Sequence, residues 1–262
     1  MKSSISVIIL TFNEEENLEK CLKSITGLAQ EIFIVDSHST DRTLEIAKKY
    51  SAQVYAHDFK NQADQFNWGL DNLAITSDWI LKLDADEEIL PELKDEILEF
   101  LPKAGKEISG FYMKRRFYFM GRWIKHGGYY PIWFLRLWRK GKGRSEERKM
   151  DEHIILLEDE SRRLNNDFID NNKKDLKNWI LKHKNYASRE AEEVKAGEYG
   201  MGEKRNFYYQ LPPFLRVFCY FIYRYFFRLG FLDGKAGFIF HFLHGFWYRF
   251  LVDAKIYGLS GI

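Results

Sequence analysis

The segment WILKLDADEEI (Trp79–Ile89) joins an apolar strand to a cluster of carboxylates that follows it directly. Three similar apolar runs precede it, at Ile5–Leu10, Glu31–Asp36 and Ala52–His57. Such runs are typical of strands that are covered on both faces. Helical patterns separate the four runs, which argues for parallel strands joined by crossover helices. The sequence therefore predicts an α/β fold with a mostly parallel central sheet and flanking helices.

The helical patterns start after the first strand and continue beyond the fourth. Asn13 resembles an N-cap, with Glu16 three residues later. Further helices are predicted at Ser39–Tyr50, around Phe66–Leu73, at Pro91–Leu101 and from Leu176 to about Lys195, and further strands at Gly110–Phe119 and Ile132–Lys140.

Polar clusters follow three of the predicted strands, at Thr11–Glu16, Asp36–Asp41 and Asp84–Glu88. In open α/β sheets, ligands bind beyond the carboxyl ends of the strands. A single cluster of this kind more often caps the next helix. Three clusters after strands of one sheet favour a ligand site at that edge.

Asp84 and Asp86 lie two residues apart directly after an apolar strand. Two close carboxylates are not both comfortably ionised without a compensating cation. A hard divalent metal that also binds substrate phosphates is such a cation, although a solvated acidic turn is a common alternative. Neither GxGxxG nor GxxxxGK[ST] is present, so side chains and a metal, rather than a glycine-rich loop, would hold a nucleotide.

The composition excludes several classes of protein. The formal net charge of +2 gives no sign of a nucleic-acid binder, and 45% hydrophobic residues argue against disorder. The two cysteines, Cys21 and Cys219, cannot form a disulfide framework. The apolar run Ile5–Leu10 is too short for a secretory signal, so we expect a cytoplasmic protein.

The C-terminal tail, residues 206–262, differs from the rest of the chain. Residues 206–252 hold 19 of the 44 aromatic residues, and the tail carries a net charge of +4. On a helical wheel, Arg216, Arg224 and Arg228 share one side, opposite an aromatic and aliphatic side. This pattern predicts a mainly helical appendage that attaches to a membrane surface through residues 206–252. The alternative is an aromatic hairpin that packs on the body or forms a homodimer.

Four segments together resemble family 2 glycosyltransferases of the GT-A fold. They are TFNEEENL (Thr11–Leu18), IVDSHSTDRT (Ile34–Thr43), QADQFNWGL (Gln62–Leu70) and WILKLDADEEI (Trp79–Ile89). The whole chain is similar to bacterial transferases of lipopolysaccharide-core and surface-polysaccharide assembly. The resemblance implies a GT-A domain over residues 1–200, with a nucleotide-sugar half (about 1–100) and an acceptor half (about 101–200), followed by the tail.

The resemblance also implies roles for individual residues. Thr11, Asn13 and Glu14 would border the nucleobase pocket, and Asp36, with Ser37 in place of the usual second aspartate, would hold the base or ribose. Gln65 lies in a third segment of the nucleotide-sugar site. Asp84 and Asp86 would bind the diphosphate and a divalent metal, Mn²⁺ or Mg²⁺, with Asp86 the more direct ligand. Apart from the resemblance, Arg136 is expected either to contact the diphosphate, because a guanidinium matches phosphate geometry, or to form a structural ion pair.

In this family a carboxylate after the metal motif takes the proton of the acceptor hydroxyl. Asp151 or Glu152 would be this base, and His153 would be an added metal ligand or a diphosphate contact. The implied reaction moves a sugar, with inversion, from a UDP-sugar to a lipid-linked glycan or lipopolysaccharide core at the inner face of the membrane. The alternatives are transfer to polyprenyl phosphate and a non-catalytic nucleotide-sugar-binding protein.

Overall fold

The computed structural model describes residues 4–146, 153–157, 160–197 and 203–260. The chain divides into two compact units. The first unit comprises residues 1–116 and 131–173, and the second comprises residues 117–130 and 174–262.

A mixed sheet forms the centre of the first unit, in the strand order β3-β2-β1-β4-β8-β6-β11-β5. Its parallel half consists of β3 (Gln53–Ala56), β2 (Glu31–Asp36), β1 (Ile5–Thr11) and β4 (Trp79–Asp84). Its other half contains antiparallel pairs and consists of β8 (Trp133–Arg139), β6 (Ile108–Phe119), β11 (Glu160–Asp170) and β5 (Glu87–Ile89). Strands β9 (Gly143–Ser145) and β10 (Ile154–Leu156) form a separate antiparallel pair.

Helices follow the strands of the parallel half, as the sequence predicts. They are α1 (Leu18–Ser24), α2 (Thr43–Lys49), α3 (Gln62–Asn72) and α4 (Pro91–Phe100). Apolar residues pack on both faces of the sheet: Val7 and Ile9 belong to one core cluster, and Ile8, Phe33 and Val35 belong to another. The expected α/β architecture with a parallel N-terminal half is therefore confirmed, and its continuous apolar strands reflect burial on both faces.

Asn13 does not cap the first helix, contrary to the prediction. Helix α1 begins at Leu18 and its N-cap is Asn17. The backbone of Asn13 has φ 53°, a left-handed conformation that asparagine tolerates better than most residues. The segment between β1 and α1 is therefore a turn at the edge of the sheet.

The second unit is mainly helical. It contains the short strand β7 (Arg122–Trp123), which pairs with the end of β6. Its helices are α5 (Leu176–Lys195), α6 (Glu203–Gln210), α7 (Leu215–Ile222), α8 (Gly234–Phe240) and α9 (Tyr248–Ser260), with π-helical segments at Tyr223–Phe227 and His241–Trp247. Phe119, Ile124, Tyr129 and Phe240 form its main apolar core. This unit includes α5 and residues 117–130, so it takes in more of the chain than the tail alone.

Two of the three arginines of the predicted basic stripe, Arg216 and Arg224, do not lie on the surface, so the stripe was predicted wrongly. Arg216 is 4% exposed and forms an ion pair with Asp253, with 3.0 Å between Arg216 Nε and Asp253 Oδ1. Arg224 is buried, and its Nε donates to the carbonyl oxygen of Gly127. The helical wheel placed these charges together but did not show that their side faces inward. In the described part of the chain, no helix has the length and apolar character needed to cross a bilayer.

Candidate functional site

The carboxyl ends of β1, β2 and β4 lie side by side at one edge of the sheet. Thr11 pairs with Asp36 in the register of β1 and β2, and Leu10 pairs with Asp84 in that of β1 and β4. The structure therefore places the predicted polar residues of these three strands at the same edge.

Asp36 is held at this edge by three hydrogen bonds and is 2% exposed. It accepts from the hydroxyl of Thr11 at 2.6 Å, from the hydroxyl of Ser39 at 2.6 Å and from the backbone N–H of Ser39 at 2.8 Å. Since each of these donors belongs to β1 or to the turn after β2, the carboxylate is fixed before any ligand arrives.

Ser37 and Gln65 form a second buried pair beside Asp36. The amide of Gln65 donates to the hydroxyl of Ser37 at 2.6 Å and to the backbone carbonyl of Val35 at 3.1 Å. Gln65 is 2% exposed, so its buried side chain stabilises the end of β2 and the turn that follows it.

Asn13 and Glu14 link the turn after β1 to the turn after β2. The side-chain oxygen of Asn13 accepts from the N–H of Thr40 at 2.8 Å. The carboxylate of Glu14 accepts from the side-chain amide of Asn17 at 2.7 Å. The N–H of Glu14 donates to the hydroxyl of Thr43 at 2.7 Å. The bonds to Thr40 and Thr43 join the segment after β1 to the segment after β2, and the bond to Asn17 lies within the first segment.

Asp84 and Asp86 have different partners. Arg136 Nη2 donates to Asp84 Oδ2 at 3.1 Å, and the Asp84 side chain is 33% exposed. The amide of Asn172 donates to Asp86 Oδ2 at 2.9 Å, and the N–H of Asn171 donates to the Asp86 carbonyl at 2.9 Å. Each carboxylate is thus oriented by a group from another strand or turn and retains access to solvent.

Arg136 forms the ion-pair alternative that the sequence left open. It is 7% exposed and pairs with both Asp84 and the buried Glu87. Burial raises the pKa of the Glu87 carboxyl, and the guanidinium of Arg136 opposes that rise. Glu87 also accepts from the N–H of Asp84 at 2.9 Å. Arg136 and Glu87 therefore fix the position of the turn that carries Asp84.

A buried thiol packs under the same turn. Cys21 of α1 is fully buried, and its Sγ lies 3.6 Å from the carbonyl oxygen of Asp84. Burial raises the pKa of this thiol, and the neighbouring carboxylates of Glu87, Asp86 and Asp84 raise it further. The thiol is therefore neutral and acts as a small packing group.

The donor set fits a divalent metal that shares its coordination with substrate. Asp84 and Asp86 offer two carboxylates, and among the residues that the structure describes no group of three or more His, Cys, Asp and Glu side chains is arranged to hold a metal. Mg²⁺ is commonly bound by one or two carboxylates together with substrate phosphates and water, rather than by a cage of protein ligands. The two aspartates meet that requirement.

The structure does not bring His153 into such a group with Asp84 and Asp86. His153 is exposed, and its ring packs edge-on against Phe134 with 6.4 Å between the ring centroids. The two candidate bases, Asp151 and Glu152, lie outside the described residues. Their role and the ligand role of His153 stay predictions.

Sequence reasoning missed Glu87 and Asn172. Glu87 belongs to the quoted acidic segment, but its neighbours in the sequence do not show that it is buried against Arg136. Asn172 reaches Asp86 because β11 pairs with β5, with Asp170 opposite Glu87. Only this long-range strand pairing reveals its position.

Two comparisons with known proteins cover more than half of the chain. Residues 6–157 match the family model of glycosyl transferase family 2. The lipopolysaccharide core biosynthesis glycosyltransferase LpsC of Rhizobium meliloti is 32% identical over an alignment that is 267 residues long. This alignment covers 98% of this chain and 93% of LpsC.

Other similarities cover less of the chain. An uncharacterized glycosyltransferase of Rickettsia bellii is 37% identical over 97 residues, so the matched part covers 37% of this chain and only 32% of that relative. A crystal structure of glucosyl-3-phosphoglycerate synthase from Mycobacterium tuberculosis, in complex with Mn²⁺, UDP and glucosyl-3-phosphoglycerate, is 23% identical with a TM-score of 0.36 over 44% of each chain.

Proposed function

Because the chain belongs to glycosyltransferase family 2, we propose that it transfers a sugar from a nucleotide-sugar donor, with UDP as the favoured nucleotide, to a hydroxyl group of the lipopolysaccharide core or of another lipid-linked glycan. The observation that carries this proposal is the shared strand edge that holds Asp36, Asp84 and Asp86. Similarity to LpsC over 98% of the chain supports the choice of acceptor. We place the reaction at the inner face of the cell membrane, where such acceptors are assembled on lipid.

The donor would occupy the edge formed by β1, β2 and β4. Asp36, fixed by Thr11 and Ser39, would accept hydrogen bonds from the nucleoside. Asp84 and Asp86 would hold a divalent metal beside the diphosphate, and this metal would stabilise the negative charge that develops on the leaving group.

The neighbours of the two aspartates would keep them in place for the reaction. Arg136 restrains Asp84 from the side of β8, and Asn172 restrains Asp86 from the segment after β11. Groups that are held in position before the reaction need no reorganisation during it, so no free energy is spent on orienting them. We therefore assign Arg136 and Asn172 as positioning residues.

Inversion requires one displacement at the anomeric carbon. The acceptor oxygen forms a bond to this carbon on one face while the bond to the diphosphate oxygen breaks on the other. The hydroxyl proton leaves to a general base, a role that we assign to Asp151 or Glu152. The products are the glycosylated acceptor, in which the anomeric configuration is inverted, and the nucleoside diphosphate.

A panel of nucleotide sugars, incubated with rough-type lipopolysaccharide core and Mn²⁺ or Mg²⁺, tests the proposal. We expect one donor to be consumed in the presence of acceptor and a divalent metal, and NMR of the product should show an inverted anomeric centre. Retention of configuration, or donor binding without turnover on any hydroxyl acceptor, would contradict the proposal.

The variants Asp151→Asn and Glu152→Gln separate hydroxyl transfer from transfer to polyprenyl phosphate. A phosphate acceptor is already a nucleophile and needs no base. We expect one of the two variants to lose at least about a hundredfold in kcat, as removal of a general base typically does. Unchanged turnover in both would favour the phosphate acceptor.

A further inference from the structure

An exposed apolar face covers one side of the helices in the second unit. It consists of Phe218, Ile222 and Phe226 on α7 and its π-helical extension, and of Phe238, Phe242 and Phe250 on the helices that follow. These side chains are 50%, 44%, 54%, 48%, 42% and 41% exposed, respectively. We call Phe218, Ile222 and Phe226 the first row and Phe238, Phe242 and Phe250 the second row. In each row the residues recur at multiples of four positions, so they follow one side of a helix.

We propose that this apolar face lies in the interfacial layer of an anionic phospholipid bilayer and holds the enzyme on the membrane without crossing it. Helices of this type bury an apolar side at the boundary between headgroups and acyl chains. Large contiguous apolar patches are uncommon on monomeric soluble proteins and mark interaction sites.

The helix that carries the first row has its polar side turned inward. Arg216 and Arg224 are 4% and 9% exposed, whereas Phe218, Ile222 and Phe226 face outward. Arg216 is neutralised by Asp253, and Arg224 donates to Tyr220 and to the carbonyl oxygen of Gly127. A helix on a protein surface in water normally turns its polar side outward and its apolar side inward. The outward, apolar side of α7 and its π-helical extension therefore suits a non-aqueous environment.

The second row forms a ladder of nearly parallel rings that joins the first. Phe242 and Phe246 stack with 5.5 Å between centroids and 21° between planes, and Phe246 and Phe250 stack at 6.2 Å and 20°. Phe218 packs edge-on against Phe246 at 4.9 Å. The two rows therefore form one continuous surface.

The charges around the apolar face favour lipid over a second copy of the chain. The only carboxylate side chains of residues 206–262 are Asp233 and Asp253, and they are 3% and 1% exposed. Arg228 and Lys235 are exposed. Anionic headgroups attract such cations. In a symmetric dimer through the same face, the two sets of cations would meet with no carboxylate from this segment to pair with them.

Flotation with vesicles of phosphatidylcholine and phosphatidylglycerol tests the proposal. The full chain is compared with the double variants Phe226→Ser/Phe242→Ser and Phe59→Ser/Phe100→Ser. The second variant is a matched control, because Phe59 and Phe100 are 47% and 40% exposed in the first unit. We expect the first variant to lower the ratio of bound to free protein by at least about tenfold and the control to leave it unchanged.

The native thiols provide a second measurement. Cys219 is exposed on α7, one residue after Phe218, and Cys21 is buried. We expect vesicles to slow the reaction of Cys219 with a soluble maleimide severalfold. The control is Lys103→Cys in a Cys219→Ser background, because the Lys103 side chain is 68% exposed in the first unit. Its labelling rate should not change.

Three results would overturn the proposal. They are wild-type protein that does not float, equal flotation of the two double variants, and a lipid-free dimer in analytical ultracentrifugation that Phe226→Ser/Phe242→Ser dissociates. The proposal rests on the proposed function for its biological setting, but flotation needs no donor. A failed donor assay with intact flotation would therefore count against the proposed function alone.

Discussion

Replacement of Arg136 by methionine tests how the turn that carries Asp84 is held. Arg136 pairs with Asp84 and with Glu87, which is 1% exposed. The methionine retains the packing against the rings of Phe134 and Phe168, which lie 5.4 and 5.5 Å from the guanidinium carbon. The main consequence is therefore a buried carboxyl group without its cation.

Breaking a buried ion pair by removing one partner typically costs about 3–5 kcal/mol. The loss of cation–π contact adds about 0.5–1 kcal/mol. We therefore expect Arg136→Met to lower the free energy of unfolding by about 3.5–6 kcal/mol. The double variant Arg136→Met/Glu87→Gln should recover most of this loss, because a glutamine oxygen still accepts from the N–H of Asp84 and no charge is left buried.

Urea unfolding monitored by tryptophan fluorescence measures these differences, and donor binding separates stability from function. We expect the double variant to be stable but to bind the metal–donor complex more weakly than wild type, because Asp84 has lost its restraint. An Arg136→Met variant within about 1 kcal/mol of wild type would refute the reasoning. So would a double variant that is no more stable than the single one.

Three further predictions concern other parts of the chain. Asn172→Ala should weaken metal-dependent donor binding about 10–100-fold with little loss of stability, because Asn172 orients Asp86 from outside the metal's ligand set. Equal donor affinity of the variant and the wild type in calorimetry would contradict this. Asp253→Ala should lower the free energy of unfolding by about 3–5 kcal/mol, because it leaves Arg216 buried and unpaired, and thermal unfolding beside the exposed-site control Asp58→Ala measures the difference. Burial lowers the pKa of His183 to about 4, so the folded protein favours the neutral ring. The free energy of unfolding should therefore fall by about 3 kcal/mol in total as the pH falls from 6.5 towards 4. A His183→Gln variant with the same pH dependence would contradict this.

The sequence predicted the parts of the fold that depend on local pattern. The bounds of β2 and β4 agree with the apolar runs Glu31–Asp36 and Trp79–Asp84. Helix α5 ends at Lys195, where the periodic pattern also ends. These elements were predictable because burial on both faces of a sheet, or on one side of a helix, leaves a direct periodic signal.

Features that depend on distant partners were not predictable. Arg216 is buried because Asp253 lies 37 positions further along the chain and neutralises it. The wheel indicates which residues share a side, but not whether that side faces the protein. Similarly, Asn13 has the residue type of an N-cap, but its side chain instead joins the turn that contains Thr40.

The candidate site also combines features that follow from local sequence with features that depend on distant partners. The positions of Asp36, Asp84 and Asp86 at strand ends follow from the sequence alone. The groups that orient them, Arg136 and Asn172, come from β8 and from the segment after β11. Their contacts depend on the antiparallel half of the sheet, whose strand order has no local sequence signature.

Calorimetric titration of the full chain with UDP, in the presence and absence of Mn²⁺, tests the central claim most directly. We predict that Mn²⁺ strengthens UDP binding at least about tenfold, and that this gain is lost in Asp86→Asn and reduced in Asp84→Asn. Glu88→Gln, which removes a neighbouring carboxylate to which we assign no role, should keep the full gain. UDP binding that is indifferent to Mn²⁺ in the wild type, or equal metal dependence in all three variants, would contradict the account.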